Sequence, residues 1–390
     1  MEVIALLNGR LITPFHEEEG NGLVIEDGKI TQMGSAGNLK MPCSCEKIDL
    51  AGKIVMPGFI DLHVHGFCGY DFEKINFENM NDLSRALFRH GTTGILPTLI
   101  PEPRADMIKL VRRYAEYISK EKRSSAILGI HCEGPFLNRE MHGAINPKNI
   151  WDADMDAWQA LYEASRGCMK LMTIAPELEG GLDIIRKAAS DGVVISIGHS
   201  NASFEKVVEA IDNGACQITH IYNAMPLTHH RSPGILGAAY LYDELKVQLI
   251  ADGVHVNPFT IKFLMKLKGA GGIILISDAI YAAGQKDGIY EFGGQKIEIK
   301  DGRTYTEDGT IAGSCLTLDQ AFKNMVISCE VPITQAARMA SLNAAKVLRL
   351  DHKKGVLAVG KDADIVVLDE NLDVEMTIFN GSIVYRKNEE

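Results

Sequence analysis

The stretch Pro57-Gly58-Phe59-Ile60-Asp61-Leu62-His63-Val64-His65-Gly66 decides how this chain is read. It continues the apolar run Ile54-Val55-Met56, so residues 54–65 predict one buried strand that ends in two histidines a single residue apart. Alternate residues of a strand share a face, so His63 and His65 project together and can reach one small ion or each other. Such a pair is half of a metal site, and solvation of a strand end explains it equally well unless further ligands are found.

Outward from this stretch, apolar runs alternate with amphipathic segments. The runs are Ile54–His65, Gly94–Ile100, Ala126–His131, Lys170–Ala175, Val193–His199, Cys216–His220, Val247–Ala251 and Gly272–Ser277. Between them, Asp82–His90, Arg104–Lys120, Leu182–Ser190, Ser203–Asn213 and Pro258–Leu267 have helical periodicity. Near-continuous apolar strands alternating with helices imply a parallel sheet covered on its outside, and eight units suggest a closed, TIM-like (β/α)8 barrel. An open doubly wound sheet would bring a Gly-rich phosphate turn after its first strand, and none is present. The flanks read differently. Short strands and tight turns such as Asp27-Gly28 fill the first part, and the same texture returns at Ala363–Leu368 and Met376–Tyr385. Residues 1–54 and 349–390 are therefore expected to form one small β-sandwich domain, and residues 55–348 the barrel. Within the latter, 285–311 looks like an inserted hairpin able to cover a pocket, followed by closing helices over Leu316–Ser328 and Ile333–Leu348.

A net charge of −11 over 390 residues argues against nucleic acid or an anionic membrane as partner, while leaving room for a local basic pocket. The N-terminus lacks a basic segment followed by an apolar core, and no apolar run approaches the ~20 residues that span a bilayer. A cytoplasmic protein is expected. The eight cysteines are scattered, mostly within apolar stretches, and read as reduced core residues, with Cys43 and Cys45 in a surface loop.

Chemistry in a barrel sits at the C-terminal ends of the strands. Here those ends read His63-Val64-His65, His131-Cys132-Glu133, Gly198-His199-Ser200, Thr219-His220, Ala251-Asp252-Gly253-Val254-His255 and Ser277-Asp278. Solvation explains any one of these; it does not explain imidazoles recurring at the same end. Imidazole and carboxylate ligands suit zinc or another first-row divalent ion, which makes hydrolysis the natural reaction. Asp278, at the last strand, is best placed to move the proton.

These strand ends, with Ala175-Pro176-Glu177, Asn223-Ala224-Met225, Ala312-Gly313-Ser314 and Gly360-Lys361-Asp362-Ala363-Asp364, resemble the N-acetylglucosamine-6-phosphate deacetylase family of the amidohydrolase superfamily along nearly the whole chain. The resemblance implies that Glu133, His199 and His220 bind the main metal and that His63 and His65 add a second ion. It implies Asp278 as general acid/base, and Asn223, the backbone of Ala224, Arg231 and His255 as holders of the sugar phosphate. Zinc is the first expectation for the one or two ions, with iron and manganese compatible, and the family suggests a homodimer. One loop departs from the family: Met141-His142-Gly143-Ala144-Ile145 puts Ile145 where many members carry a substrate-contacting histidine. Either that contact is missing or His142 replaces it from a neighbouring position, and N-acetylgalactosamine 6-phosphate becomes the second substrate candidate. Another amide hydrolase of the superfamily, or a catalytically dead scaffold, are the remaining alternatives. His131 shares a strand face with Glu133 and is a candidate for supporting the ligands, whereas His229 and His230 read equally well as surface residues.

Overall fold

The computed structural model describes residues 3–120 and 126–387. Two compact units emerge: one holds the residues through Asp61 with Asn81–Gly94 and those from Leu318 onward, the other Leu62–Met80 with Ile95–Thr317.

The alternating runs form the expected eight-stranded sheet: β1 (Phe59–Val64), β2 (Thr92–Leu99), β3 (Ile130–Glu133), β4 (Met169–Ile174), β5 (Val194–Ile197), β6 (Ala215–Ile218), β7 (Lys246–Ile250) and β8 (Ile273–Ile276). Each strand pairs with the next in chain order. Past the last strand, the Asp278 N–H donates to the His63 carbonyl at 2.9 Å and the His65 N–H to the Ala279 carbonyl at 2.7 Å. The sheet thus curls into a nearly closed barrel. Strands such as β1, β2 and β8 are buried at every position, which is why they carry no polar alternation. Each fully buried Leu, Ile or Val in them contributes ~1.5–3 kcal/mol relative to exposure.

The run 54–65 is two strands, not one. Ile54–Pro57 pairs antiparallel with Ile365–Leu368, and the chain then passes Gly58 into β1. A Cβ at Gly58 would lie 2.2 Å from Thr93 Oγ1, so the crossing requires glycine. Ile54–Pro57 belongs to the eight-stranded sheet made from both chain ends, with Ile4–Ile12, Glu17–Glu26, Lys29–Ser35, Glu46–Asp49, Ile365–Leu368, Val374–Phe379 and Ser382–Arg386. Ile4–Ile12 pairs in parallel with Glu46–Asp49 near its start and with Ile54–Pro57 near its end, so the sheet branches there. Its core gathers Leu6, Leu23, Ile25, Val55, Ile365 and Ile378.

The inserted segment is a three-stranded antiparallel sheet, Gly288–Phe292, Gln295–Lys300 and Arg303–Thr306, where a single hairpin was expected. The closing helices are Leu318–Ile327 and a run from Ile333 to Val347 with a π turn at Arg338–Leu342. Helices Met155–Ser165 and Gly234–Leu241 join those expected from periodicity. Among the described residues no helix is long and apolar enough to cross a membrane. The eight cysteines are free thiols.

Candidate active site

The residues singled out at the strand ends converge. His63 lies in β1 and His65 directly after it, Glu133 ends β3, and His199, His220 and Asp278 each stand two residues past β5, β6 and β8. The last three have φ of +48°, +27° and +53°. L-residues rarely adopt this left-handed backbone, at a cost of ~1–3 kcal/mol each, and it departs from the strands' regular alternation where the cluster forms. At Gly198 a Cβ would sit 2.6 Å from Thr219 Cβ and 2.9 Å from Thr173 Cγ2, so only glycine lets the chain reach His199.

Glu133 is the hub. Its Oε1 lies 3.3 Å from His63 Nε2, 3.1 Å from His199 Nε2 and 3.0 Å from His220 Nε2, and its Oε2 lies 3.3 Å from His65 Nε2. Asp278 Oδ1 is 3.3 Å from His63 Nε2 and 3.1 Å from His65 Nε2. All six side chains belong to residues at most 7% exposed. The Nε2 atoms of His63 and His65, and those of His199 and His220, approach to 3.1 Å. Two imidazole lone pairs facing at that distance repel unless a proton or a cation lies between them. Two ligand groups result, His63–His65–Glu133 and Glu133–His199–His220, each with its donor atoms within 4.8 Å of one another. Nitrogen and carboxylate donors brought together out of water fit a divalent first-row metal centre.

The electrostatics point the same way. Burial raises the Glu133 carboxyl, yet the attraction of His63 and hydrogen bonds from His199, His220 and His63 hold it well below the usual range. Asp278 is likewise lowered: burial opposes ionisation, and the charge of His63 with the hydrogen bond from His65 overcomes it. Burial lowers His65, but hydrogen bonds to Asp278 and Glu133 push it up to about 10. Both carboxylates therefore remain anionic, and positive charge is favoured between them.

The surroundings brace part of this cluster. His199 Nδ1 donates to the Met141 carbonyl at 2.8 Å, and His63 Nδ1 faces Gln248 Oε1 at 3.1 Å. Glu177 ties three loops together: its carboxylate accepts from Asn138 Nδ2 at 2.8 Å, Ser200 Oγ at 2.6 Å and the Asn201 N–H at 2.6 Å. Asn138 in turn donates its N–H to the His199 carbonyl at 2.9 Å. His131 does not face the ligand cluster as a donor. Its nitrogens sit 3.1 Å from Thr98 Oγ1 and 2.9 Å from Thr173 Oγ1, its ring stands edge-on to His63, and burial depresses its pKa well below the ordinary value.

A cavity of about 300 Å³ opens on the cluster, lined by His65, Glu133, His199, His220 and Asp278 together with Asn223, Ala224 and His255. Asp252 orients His255, with Oδ2 2.7 Å from Nδ1, and leaves Nε2 for a ligand. Ile100, Ile145, Phe292 and Ile311 make an apolar wall, so the inserted sheet does contribute to the pocket, as expected. Arg231 and His142 are not among the lining residues. Arg231 lies on an exposed loop with Nη1 3.0 Å from His230 Nε2, and His142 Nδ1 is engaged by the Ile145 carbonyl at 2.9 Å. Sequence reasoning missed Glu177 as a clamp and Gln248 as a partner of His63. The first stood in a quoted motif; the second had no signal.

A profile described as the Amidohydrolase family matches residues 54–384. The N-acetylglucosamine-6-phosphate deacetylase of Bacillus subtilis (strain 168) is 35% identical over 373 residues, covering 95% of this chain and 94% of its own length. The N-acetylgalactosamine-6-phosphate deacetylase of Escherichia coli O157:H7 is 32% identical over 374 residues, covering 96% and 97%. Among solved structures, an aspartate-to-alanine variant of the Mycobacterium smegmatis N-acetyl-D-glucosamine-6-phosphate deacetylase, in complex with N-acetyl-D-glucosamine-6-phosphate, superposes with a TM-score of 0.92 at 30% identity, covering 98% of this chain and all of that one.

Proposed function

The chain belongs to the amidohydrolase family and, within it, to the N-acetylglucosamine-6-phosphate deacetylases; on that premise we propose that it hydrolyses the acetamide of N-acetylglucosamine 6-phosphate, giving glucosamine 6-phosphate and acetate. The observation that carries this reading is four imidazoles and Glu133 converging beside Asp278 at the head of a substrate-sized cavity.

In this reading Glu133, His199 and His220 would hold the main ion, and His63 and His65 with Glu133 would hold a second. Zinc is the first choice for this donor set, with iron and manganese as the others. The chemistry such a centre would supply is a more acidic water and a polarised acyl oxygen. Asp278, kept anionic by its histidine neighbours, accepts the proton of the attacking water and returns it to the departing amine. The Asn223 side chain, the Ala224 backbone and the His255 imidazole hold the phosphorylated sugar, with Asp252 fixing the orientation of His255. By the resemblance alone, Arg231 would supply a planar fork for phosphate oxygens, from a loop outside the cavity lining. The protein is read as a cytoplasmic homodimer, as in the family it resembles, and the exposed Leu241, Phe259 and Phe263, at 69%, 79% and 53%, offer apolar surface for a subunit contact.

A galacto-configured substrate is the second reading, favoured by Ile145 in the cavity wall and by the E. coli relative. The metal-dependent reading is tested by assaying acetate release from N-acetylglucosamine 6-phosphate before and after chelation, with metal content determined on the same sample. Chelator-sensitive release that returns with added zinc is the expected result. Undiminished release from metal-free protein would overturn the metal-dependent mechanism.

A further inference from the structure

Of the four imidazoles around Glu133, only two are braced at the ring nitrogen that faces away from the cluster. His199 Nδ1 has the Met141 carbonyl and His63 Nδ1 has Gln248 Oε1, whereas the Nδ1 atoms of His65 and His220 are buried without a hydrogen-bond partner among the described residues. Each ligand group therefore contains one braced and one unbraced histidine. For His199 the brace is a backbone carbonyl, which no substitution removes. For His63 it is a side chain.

Gln248 lies in β7, in the polar break of Val247-Gln248-Leu249, and is fully buried. An amide here needs a reason, because a buried amide without partners costs ~1–3 kcal/mol by mutational measures. Its oxygen faces His63 at 3.1 Å, and its nitrogen donates to Gln217 Oε1, one strand over in β6, at 3.0 Å. The chain has a direction. The Gln248 amide nitrogen donates to Gln217 Oε1, whose own amide nitrogen is buried without a hydrogen-bond partner among the described residues, and in this orientation the Gln248 oxygen faces His63, which puts the imidazole proton on Nδ1 and points the Nε2 lone pair at Glu133 and His65. Reversed, the amide would donate to Nδ1 and put the imidazole proton on Nε2, which closes that nitrogen to a metal.

We propose that Gln248, braced by Gln217, is the positioning residue that makes His63 a metal ligand, and so sets the occupancy of the His63–His65–Glu133 site independently of Glu133–His199–His220. The inference rests on the metal-centre reading above. Partners of this kind fix the tautomer and ring orientation of a ligating histidine, and their loss weakens metal binding about 10–100-fold.

The test is a Co²⁺ titration against a competing chelator on the full-length protein and on Gln248→Met and Gln248→Glu, following stoichiometry, affinity and the visible cobalt spectrum. Methionine keeps the length and removes the acceptor. The expected result is one ion weakened about 10–100-fold in Gln248→Met, the other ion unchanged, and near-native binding of both in Gln248→Glu, whose carboxylate is a stronger acceptor. Thermal unfolding of the metal-free proteins separates a folding defect from a ligand defect, and the glutamate rescue is the control if the methionine variant is unstable. Equal binding by Gln248→Met and the parent, equal loss of both ions, or failure of glutamate to restore binding would overturn the inference. No cobalt bound by the parent protein would instead overturn the metal-centre reading.

Discussion

The two sides of the cavity are built differently. The ligand side is assembled from β1, β3, β5, β6 and β8, is at most 7% exposed, and has its carboxylates held anionic by neighbouring imidazoles. The side proposed for the sugar phosphate draws on loops: Asn223 and Ala224 follow β6, and His255 follows β7 and leans on Asp252, while Arg231, proposed for the same role, stands exposed outside the lining. Strand ends pinned by a barrel ladder hold atoms to the tolerance that bond chemistry needs, and loops adapt to a ligand's shape. On the proposed function, reaction type would be set by the strand-end side and substrate identity by the loop side.

Substitutions can break that contrast, and the expected effects fall in order from the rigid side to the adaptable one. Asp278→Asn should lower kcat by ~10²–10⁴-fold with metal content unchanged, since it removes proton transfer and leaves the ligands in place. A kcat within tenfold of the parent, measured on metal-replete protein, would remove Asp278 from its role. Glu177→Ala should release Asn138, Ser200 and Asn201 and loosen the loop that carries Gly143–Ile145, raising KM and weakening metal retention at His199 by about 10–100-fold. Titration with a chelator and steady-state kinetics on one preparation would show both or contradict the clamp.

Arg231→Ala tests the opposite side. It should raise KM for the phosphorylated sugar by roughly tenfold, as the loss of a charge-assisted hydrogen bond does, and change kcat little. If kcat fell and KM held, Arg231 would belong to the chemistry and the contrast would fail. Ile145→His is the mildest change, expected to move the ratio of kcat/KM between gluco and galacto substrates by a few-fold at an unchanged metal content.

What could be read in advance follows the same division. Apolar runs ending in histidine or carboxylate reported the barrel and the side-chain cluster at its strand ends, because strand burial and strand-end chemistry are local in sequence. Non-local causes were invisible. The break at Gly58 depends on Thr93 and on pairing with Ile365–Leu368, more than 300 residues away, so residues 54–65 looked like one strand. Gly234–Leu241 is apolar on most faces and gives little helical periodicity to detect. The left-handed backbone at His199, His220 and Asp278 has no signature in those residue types. Gln248 lay unremarked within the run Val247–Ala251; its meaning depends on His63, which is 185 residues away. Arg231 was placed with the phosphate by resemblance alone, and its loop lies outside the cavity lining.

The most direct test of the account compares acetate release from N-acetylglucosamine 6-phosphate, N-acetylgalactosamine 6-phosphate and unphosphorylated N-acetylglucosamine by one zinc-replete preparation. Fastest turnover of the gluco phosphate, with kcat/KM for the unphosphorylated sugar lower by at least about tenfold, is the predicted result. No release from either phosphorylated sugar by protein that retains its metal would contradict the assigned substrate while leaving the amidohydrolase centre intact.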